Sequence, residues 1–198
     1  LLFQDTIGFH INDKTIDALT DLDLKRISYV YTNSVVEDKE SLYLAYLEKL
    51  AEKSKKSWIY PEIICKISEK TLTQASKYDN GRDPDYKNVR LDVYKTLDEA
   101  QNLYPYSVGA SQCLAMMNDL KNKETSLTIE KATTPEAPFL AYVSYKNVSK
   151  LYFRVLPINE AKAREIERKT YDNESMLNSL NGVKPVKEWE QNLIDDND

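Results

Sequence analysis

The sequence predicts an α+β chain, helical as far as about Lys123 and strand-forming beyond it. Three observations carry that expectation. Apolar residues recur three and four apart from Leu24 to Leu120, the spacing that lines one face of a helix. Over residues 125–157 the period drops to two: Phe139, Ala141, Val143 and Tyr145 alternate with Leu140, Tyr142 and Ser144, then Leu151, Phe153 and Val155 with Tyr152, Arg154 and Leu156. Pro135 and Pro138 punctuate the change of pattern, where a first strand gives way to the next.

Residues 1–22 are ambiguous, with Leu2, Phe3, Ile7 and Phe9 apolar but only short helical spacing. Leu24, Ile27 and Tyr31 then define one helical face. Asp38 is positioned to cap the next helix, whose stripe is Tyr43, Tyr46, Leu47, Leu50 and Ala51, with Lys53–Lys56 at its cation-favouring end. A further helix is expected from Tyr60 or Pro61 to Tyr78, with Ile64, Ile67 and Thr71 inward and Pro61 tolerated in its first turn. Asn80-Gly81 and Asp83-Pro84 mark residues 77–85 as a loop. Tyr86, Val89, Val93, Leu97, Ala100 and Tyr104 make the most regular stripe of the chain. Tyr104-Pro105-Tyr106-Ser107 closes that helix, and Ser107 caps another that buries Ala110, Cys113, Leu114, Met117 and Leu120. Two such helices joined by a Tyr-Pro-x-Ser turn look like a tetratricopeptide-type pair, with Lys39–Tyr78 as an earlier, degenerate one; stacked pairs would offer a concave binding face.

Four strands are expected: Leu127–Lys131, Pro138–Lys146, Lys150–Pro157 and Val186–Leu193, the last with Trp189 and Leu193 on one face. The short Lys146-Asn147-Val148-Ser149 link suits a hairpin, with Asn147 able to take positive φ. Between the third and fourth strands, Asn159 caps a short charged helix to Lys169, and Asp172 or Asn173 starts another with Met176, Leu177 and Leu180 inward and Asn181-Gly182 as its stop.

The composition excludes several function classes. A net charge of −5 without a basic cluster argues against nucleic acid as a partner, and no apolar run reaches the ~20 residues of a membrane span. The single histidine, His10, reads as a surface or helix-end residue and leaves a nucleophilic triad without its base. Cys65 and Cys113 fit no zinc spacing; they are either two buried small apolar side chains or, in an exported chain, a disulfide. Asp79–Asp85 faintly resembles a calcium loop, but Arg82 lies within it and no closing glutamate follows, which favours an ordinary turn. The carboxylate pairs Asp21/Asp23 and Glu188/Glu190 carry no further signature, and the four scattered glycines form no phosphate loop. No catalytic residue, cofactor or metal ligand is expected. Fourteen tyrosines suit helix-pair packing, sheet faces, or recognition of protein or sugar.

Tyr104-Pro105, Ser126–Glu130, Pro138–Ala141, Val143–Val148, Leu151–Val155, Lys184–Val186 and Glu188-Trp189 together carry a family resemblance. Through them the second half of the chain resembles the N-terminal part of large bacterial alpha-2-macroglobulin-family proteins, and the helical half shares their style. The resemblance implies a helical region (1–123) ahead of the first macroglobulin domain, a fibronectin-like β-sandwich, here partial (124–198) with a helical insertion at about 159–182. Such a sandwich needs about seven strands, so an open apolar face and an unpaired edge would be covered by the helical half or by another copy of the chain. The resemblance also implies a non-catalytic scaffold or protein-contact role within a protease inhibitor, with proteases as partners of the whole protein, and export to the periplasm or outer-membrane surface by a targeting segment not present in this chain. The family's Cys-x-Glu-Gln thioester lies far downstream; Cys65 is followed by Lys66-Ile67-Ser68 and Cys113 by Leu114-Ala115-Met116, so neither provides it. The alternative is a helical-repeat carbohydrate-binding outer-membrane lipoprotein, in which the tyrosines and Trp58 form a sugar platform.

Overall fold

Secondary structure follows the change of period. In a computed structural model describing residues 2–76, 86, 88–130, 138–169 and 171–193, the chain is mixed α and β and divides into two compact units, Leu1–Asn122 and Lys123–Asp196.

The first unit comprises α1 (Leu2–His10), α2 (Asp17–Asn33), α3 (Lys39–Lys53), α4 (Tyr60–Ala75), α5 (Val89–Leu103) and α6 (Val108–Lys121). Each helix packs against the next, and α4 also packs against α6. The ambiguous N-terminal stretch is a helix in its first part, ending at His10. Local features explain the boundaries. α4 accepts Pro61 in its first turn, where no intrahelical amide bond is lost. Tyr104 leaves helical geometry at φ −137° and ψ 64°, as the steric demand of Pro105 requires, which ends α5. The Ser107 hydroxyl then accepts the Ala110 amide at 3.0 Å and starts α6. Asp38, by contrast, precedes α3 without a side-chain cap bond; its backbone carbonyl instead accepts the Leu42 amide at 3.1 Å.

The stripes close into one core. Leu24, Tyr43, Leu47, Leu50, Ile64, Val93, Leu97, Cys113 and Met117 are buried together, while Tyr46, Ile67 and Leu120 pack partly against them. Burial of each large aliphatic side chain contributes about 1.5–3 kcal/mol. Ile59 and Ile63, outside the expected stripe, are among the most buried residues, because α4 is covered by α3, α5 and α6 and so has two inward sides. Leu114 departs the other way: expected in the core, it stays 48% exposed, because α6 turns Cys113 and Met117 inward and no described helix covers its flank.

The second unit holds β1 (Glu124–Ile129), β2 (Ala141–Lys146), β3 (Lys150–Val155), α7 (Glu160–Lys169), α8 (Asn173–Leu180) and β4 (Lys187–Asn192). Asn159 caps α7 by accepting the Lys162 amide at 2.8 Å, and Asp172 caps α8 by accepting the Ser175 amide at 2.7 Å. Ile166 of α7 is buried, but Met176 and Leu177 of α8, expected inward, are exposed, because among the described residues α8 packs only lightly, chiefly against α7.

Pairing differs from the expected hairpin. Asn147 does adopt φ 54°, yet β2 and β3 do not pair across it. β1 pairs antiparallel with β2, and β3 with β4, giving two ribbons of two strands each. The turn therefore passes the chain from one ribbon to the other rather than folding it back on itself. Neither ribbon gains a third strand among the described residues.

Candidate functional site

Three places in the fold gather exposed or polar chemistry. The first lies at one end of the helical unit, where the α3–α4 link meets the α5–α6 link. The Tyr104 hydroxyl donates to the Lys55 carbonyl at 2.8 Å and ties the two links together. Beside this bond, Trp58, Leu103, Tyr104, Pro105, Tyr106 and Ser107 line an open pocket of about 410 Å³. Its walls are largely apolar, with Trp58 half exposed and Tyr106 wholly so. Of the residues expected to make a sugar platform, Trp58 is thus placed beside two tyrosines; the other described tyrosines do not line the pocket. Exposed aromatic clusters of this kind mark contact surfaces more often than single apolar residues do.

The second is a polar seam joining α2, α3 and α4. The Tyr31 and Tyr43 rings stack at 4.3 Å, and the Lys70 ammonium lies 4.3 Å from the Tyr31 ring centre. Lys70 donates to the Tyr31 hydroxyl at 2.7 Å and pairs with Glu40 at 3.4 Å, while the Tyr31 hydroxyl donates to Glu40. The bond from Tyr31 holds the Glu40 carboxyl below the usual carboxylate range, burial opposing and Lys70 assisting. The bond to Tyr31 likewise raises Lys70 above the ordinary lysine value against its partial desolvation. Nearby, the Tyr46 hydroxyl donates to Asp23 at 2.6 Å and accepts from Arg26 at 2.8 Å. Desolvation and then Asp23 push the Tyr46 phenol up. Every group in this seam has a partner within the helices, so the seam holds helices together.

The third is the pair of ribbons. In β1–β2 the alternation puts Leu127 opposite Val143 and Ile129 opposite Ala141, with Tyr145 on the same face; Ser126, Ser144 and the Lys146–Glu124 ion pair, at 3.6 Å, occupy the other. In β3–β4, Phe153 lies opposite Trp189 with the rings stacked at 4.9 Å, flanked by Leu151 and Val155. The reverse face carries Arg154–Glu188 at 2.8 Å and Lys150–Glu190 at 2.9 Å. Each ribbon is therefore two-faced. The apolar faces remain substantially open: Leu127 is 53% exposed and Trp189 42%.

The other sequence candidates separate. His10 ends α1 and its Nδ1 lies 2.7 Å from Asp13. Asp21 pairs with Lys25 at 2.6 Å and Asp23 with Arg26 at 2.6 Å, and Glu188 and Glu190 hold the cations just described, so each of these carboxylates faces a cation. The calcium-like segment Asp79–Asp85 falls outside the described residues. Among the described residues no cluster of His, Cys, Asp and Glu could hold a metal ion, and no helix is long and apolar enough to cross a membrane. Cys65 and Cys113, on different helices, are brought together, their Sγ atoms 2.9 Å apart. The neighbouring Cys113 sulfur, with burial, pushes the Cys65 thiol up.

Comparison of the chain with protein-family models, with curated proteins and with solved structures finds no match.

Proposed function

We propose that the chain is a non-catalytic scaffold and protein-contact part of an alpha-2-macroglobulin-like protease inhibitor, with TPR-like helix pairs ahead of the opening strands of a fibronectin-like sandwich. The single observation that carries this proposal is the switch of ribbon at Asn147. In a Greek-key sandwich of the immunoglobulin and fibronectin kind, the first two strands pair in one sheet and the third belongs to the other. The order β1–β2 in one ribbon and β3–β4 in the next has that form, which a β2–β3 hairpin would not. The open apolar face of each ribbon is the surface such a sandwich would close. A two-stranded ribbon is marginal in water by itself, so a covering layer is a physical requirement.

The test uses the full-length protein that contains this chain. Incubated with an active endoprotease, it should retain the protease in a complex that still cleaves a small peptide and is shielded from protein substrates. Cleavage of the inhibitor with the protease left free and active on proteins would refute the proposal.

A second function, carbohydrate binding by the helical unit, is favoured by the pocket of Trp58, Tyr104 and Tyr106. Aromatic faces take the C–H faces of sugar rings, and the open shape would admit a chain end. Glycan-array binding lost in Trp58→Ala and Tyr106→Ala would establish it; an array silent for the unaltered chain would remove it.

A further inference from the structure

Cys65 on α4 and Cys113 on α6 are both buried, 6% and 0% exposed, and they face each other across the α4–α6 contact. What brings them together is a glycine. A Cβ built on Gly109 would lie 2.3 Å from the Glu62 amide nitrogen and 2.8 Å from the Pro61 carbonyl carbon, so only glycine lets the two helix starts approach this closely. One turn further along each helix, the sulfur atoms stand 2.9 Å apart, within about 1 Å of the ~2.05 Å separation of a disulfide. The reduced state is also satisfied, because Cys65 Sγ lies 3.6 Å from the Gly109 carbonyl oxygen and Cys113 Sγ 3.5 Å from that of Pro61. At 2.9 Å the sulfurs already stand inside ordinary non-bonded contact, so a small approach makes the bond and a small separation leaves two thiols, each facing a carbonyl.

We propose that Cys65 and Cys113 are a redox-modification site, oxidised to a reversible disulfide that staples α4 to α6. The oxidant is a small-molecule or protein disulfide. One cysteine thiolate attacks a sulfur of that disulfide, forming a mixed disulfide and releasing one thiol. The second cysteine thiolate then attacks the mixed disulfide at the protein sulfur and expels the second thiol. In sum the protein loses two electrons and two protons, and the oxidant's S–S bond becomes two S–H groups. Because both sulfurs are buried, exchange takes place while α4 and α6 are parted, during folding or local opening.

The experiment uses the whole chain in glutathione buffers, one oxidising and one reducing, both on the folded protein and during refolding from denaturant. Thiols are then trapped by iodoacetamide in denaturant and counted by intact mass. Expected are no alkyl groups in the oxidising buffer, with a digest peptide joining Cys65 to Cys113, and two alkyl groups in the reducing one. The oxidised protein should melt higher by about 10 °C, since the bond closes a long loop of the unfolded chain. Cys113→Ser should abolish both the linked peptide and the difference in melting. Two alkylated cysteines after oxidative refolding, or glutathione adducts without the internal link, would overturn the proposal.

Discussion

Replacing Gly109 by alanine isolates the closest approach in the helical unit. The added Cβ would meet the Glu62 nitrogen at 2.3 Å, about 1 Å inside ordinary contact, and because the obstructing atoms belong to the backbone no rotamer change relieves it. Separating two packed helices by such an amount costs ~1–3 kcal/mol, with the upper part of the range appropriate to a backbone obstruction. Alanine returns up to ~1 kcal/mol through its helix propensity and the stiffer unfolded chain. The net loss is about 2 kcal/mol, which at a urea slope of roughly 2 kcal/mol/M lowers the unfolding midpoint by about 1 M. Gly8 is the internal control. It lies within α1 with nothing within 4 Å of its added Cβ, so Gly8→Ala has the propensity gain alone and should leave the midpoint unchanged or raise it. A Gly109→Ala protein unfolding at the same urea concentration as the parent, with an unchanged slope, would mean that α4 and α6 do not meet there.

Leu97→Ala should cost about 2–5 kcal/mol, because the residue is fully buried, whereas Leu103→Ala, exposed at the end of α5, should stay within about 0.5 kcal/mol; urea unfolding of both distinguishes them. Phe153→Ala removes the ring stacked on Trp189 and should cost ~0.5–1.5 kcal/mol beyond lost area, read as a red shift and altered intensity of the Trp189 fluorescence in a Trp58→Phe background. The depressed Glu40 carboxyl predicts a pH dependence. A group whose folded pKa is lowered adds stability above its ordinary value, about 4.5, and that contribution disappears as pH falls through the folded value. Glu40→Gln should therefore flatten the acid limb of the stability profile, and an unchanged limb would show that the Tyr31–Glu40 bond does not form.

Most features set by neighbours along the chain could be read from the sequence, the expected Asp38 cap being an exception. Pro105 ends α5, Ser107, Asn159 and Asp172 accept the amides expected of caps, and Asn147 takes positive φ, because each depends on residues within a turn of itself. Features set by a distant partner were not. Period alone shows that Leu114 shares a face with Cys113, but not that the face ends between them. It shows four strands but not which edges meet: a link of Asn147, Val148 and Ser149 is as compatible with passage between ribbons as with a hairpin. α1 escaped because nine residues with a weak stripe give little periodicity to count. The pocket at Trp58 and Tyr106 and the sulfur pair each join segments more than 40 residues apart, a proximity that only the packing of α4 against α5 and α6 supplies.

The run of helices each leaning on its successor also governs the order of events during synthesis. Contacts between elements close in sequence are made quickly, since little chain entropy is lost in closing them, and helical units of this sort assemble in microseconds to milliseconds. Ribosomes add only ~5–20 residues per second, so α1–α6 can be finished while β3 and β4 are still being made. The nascent protein would then present a settled helical block while its strands, oily on one side, are still emerging, and that interval is when a chaperone would be needed most.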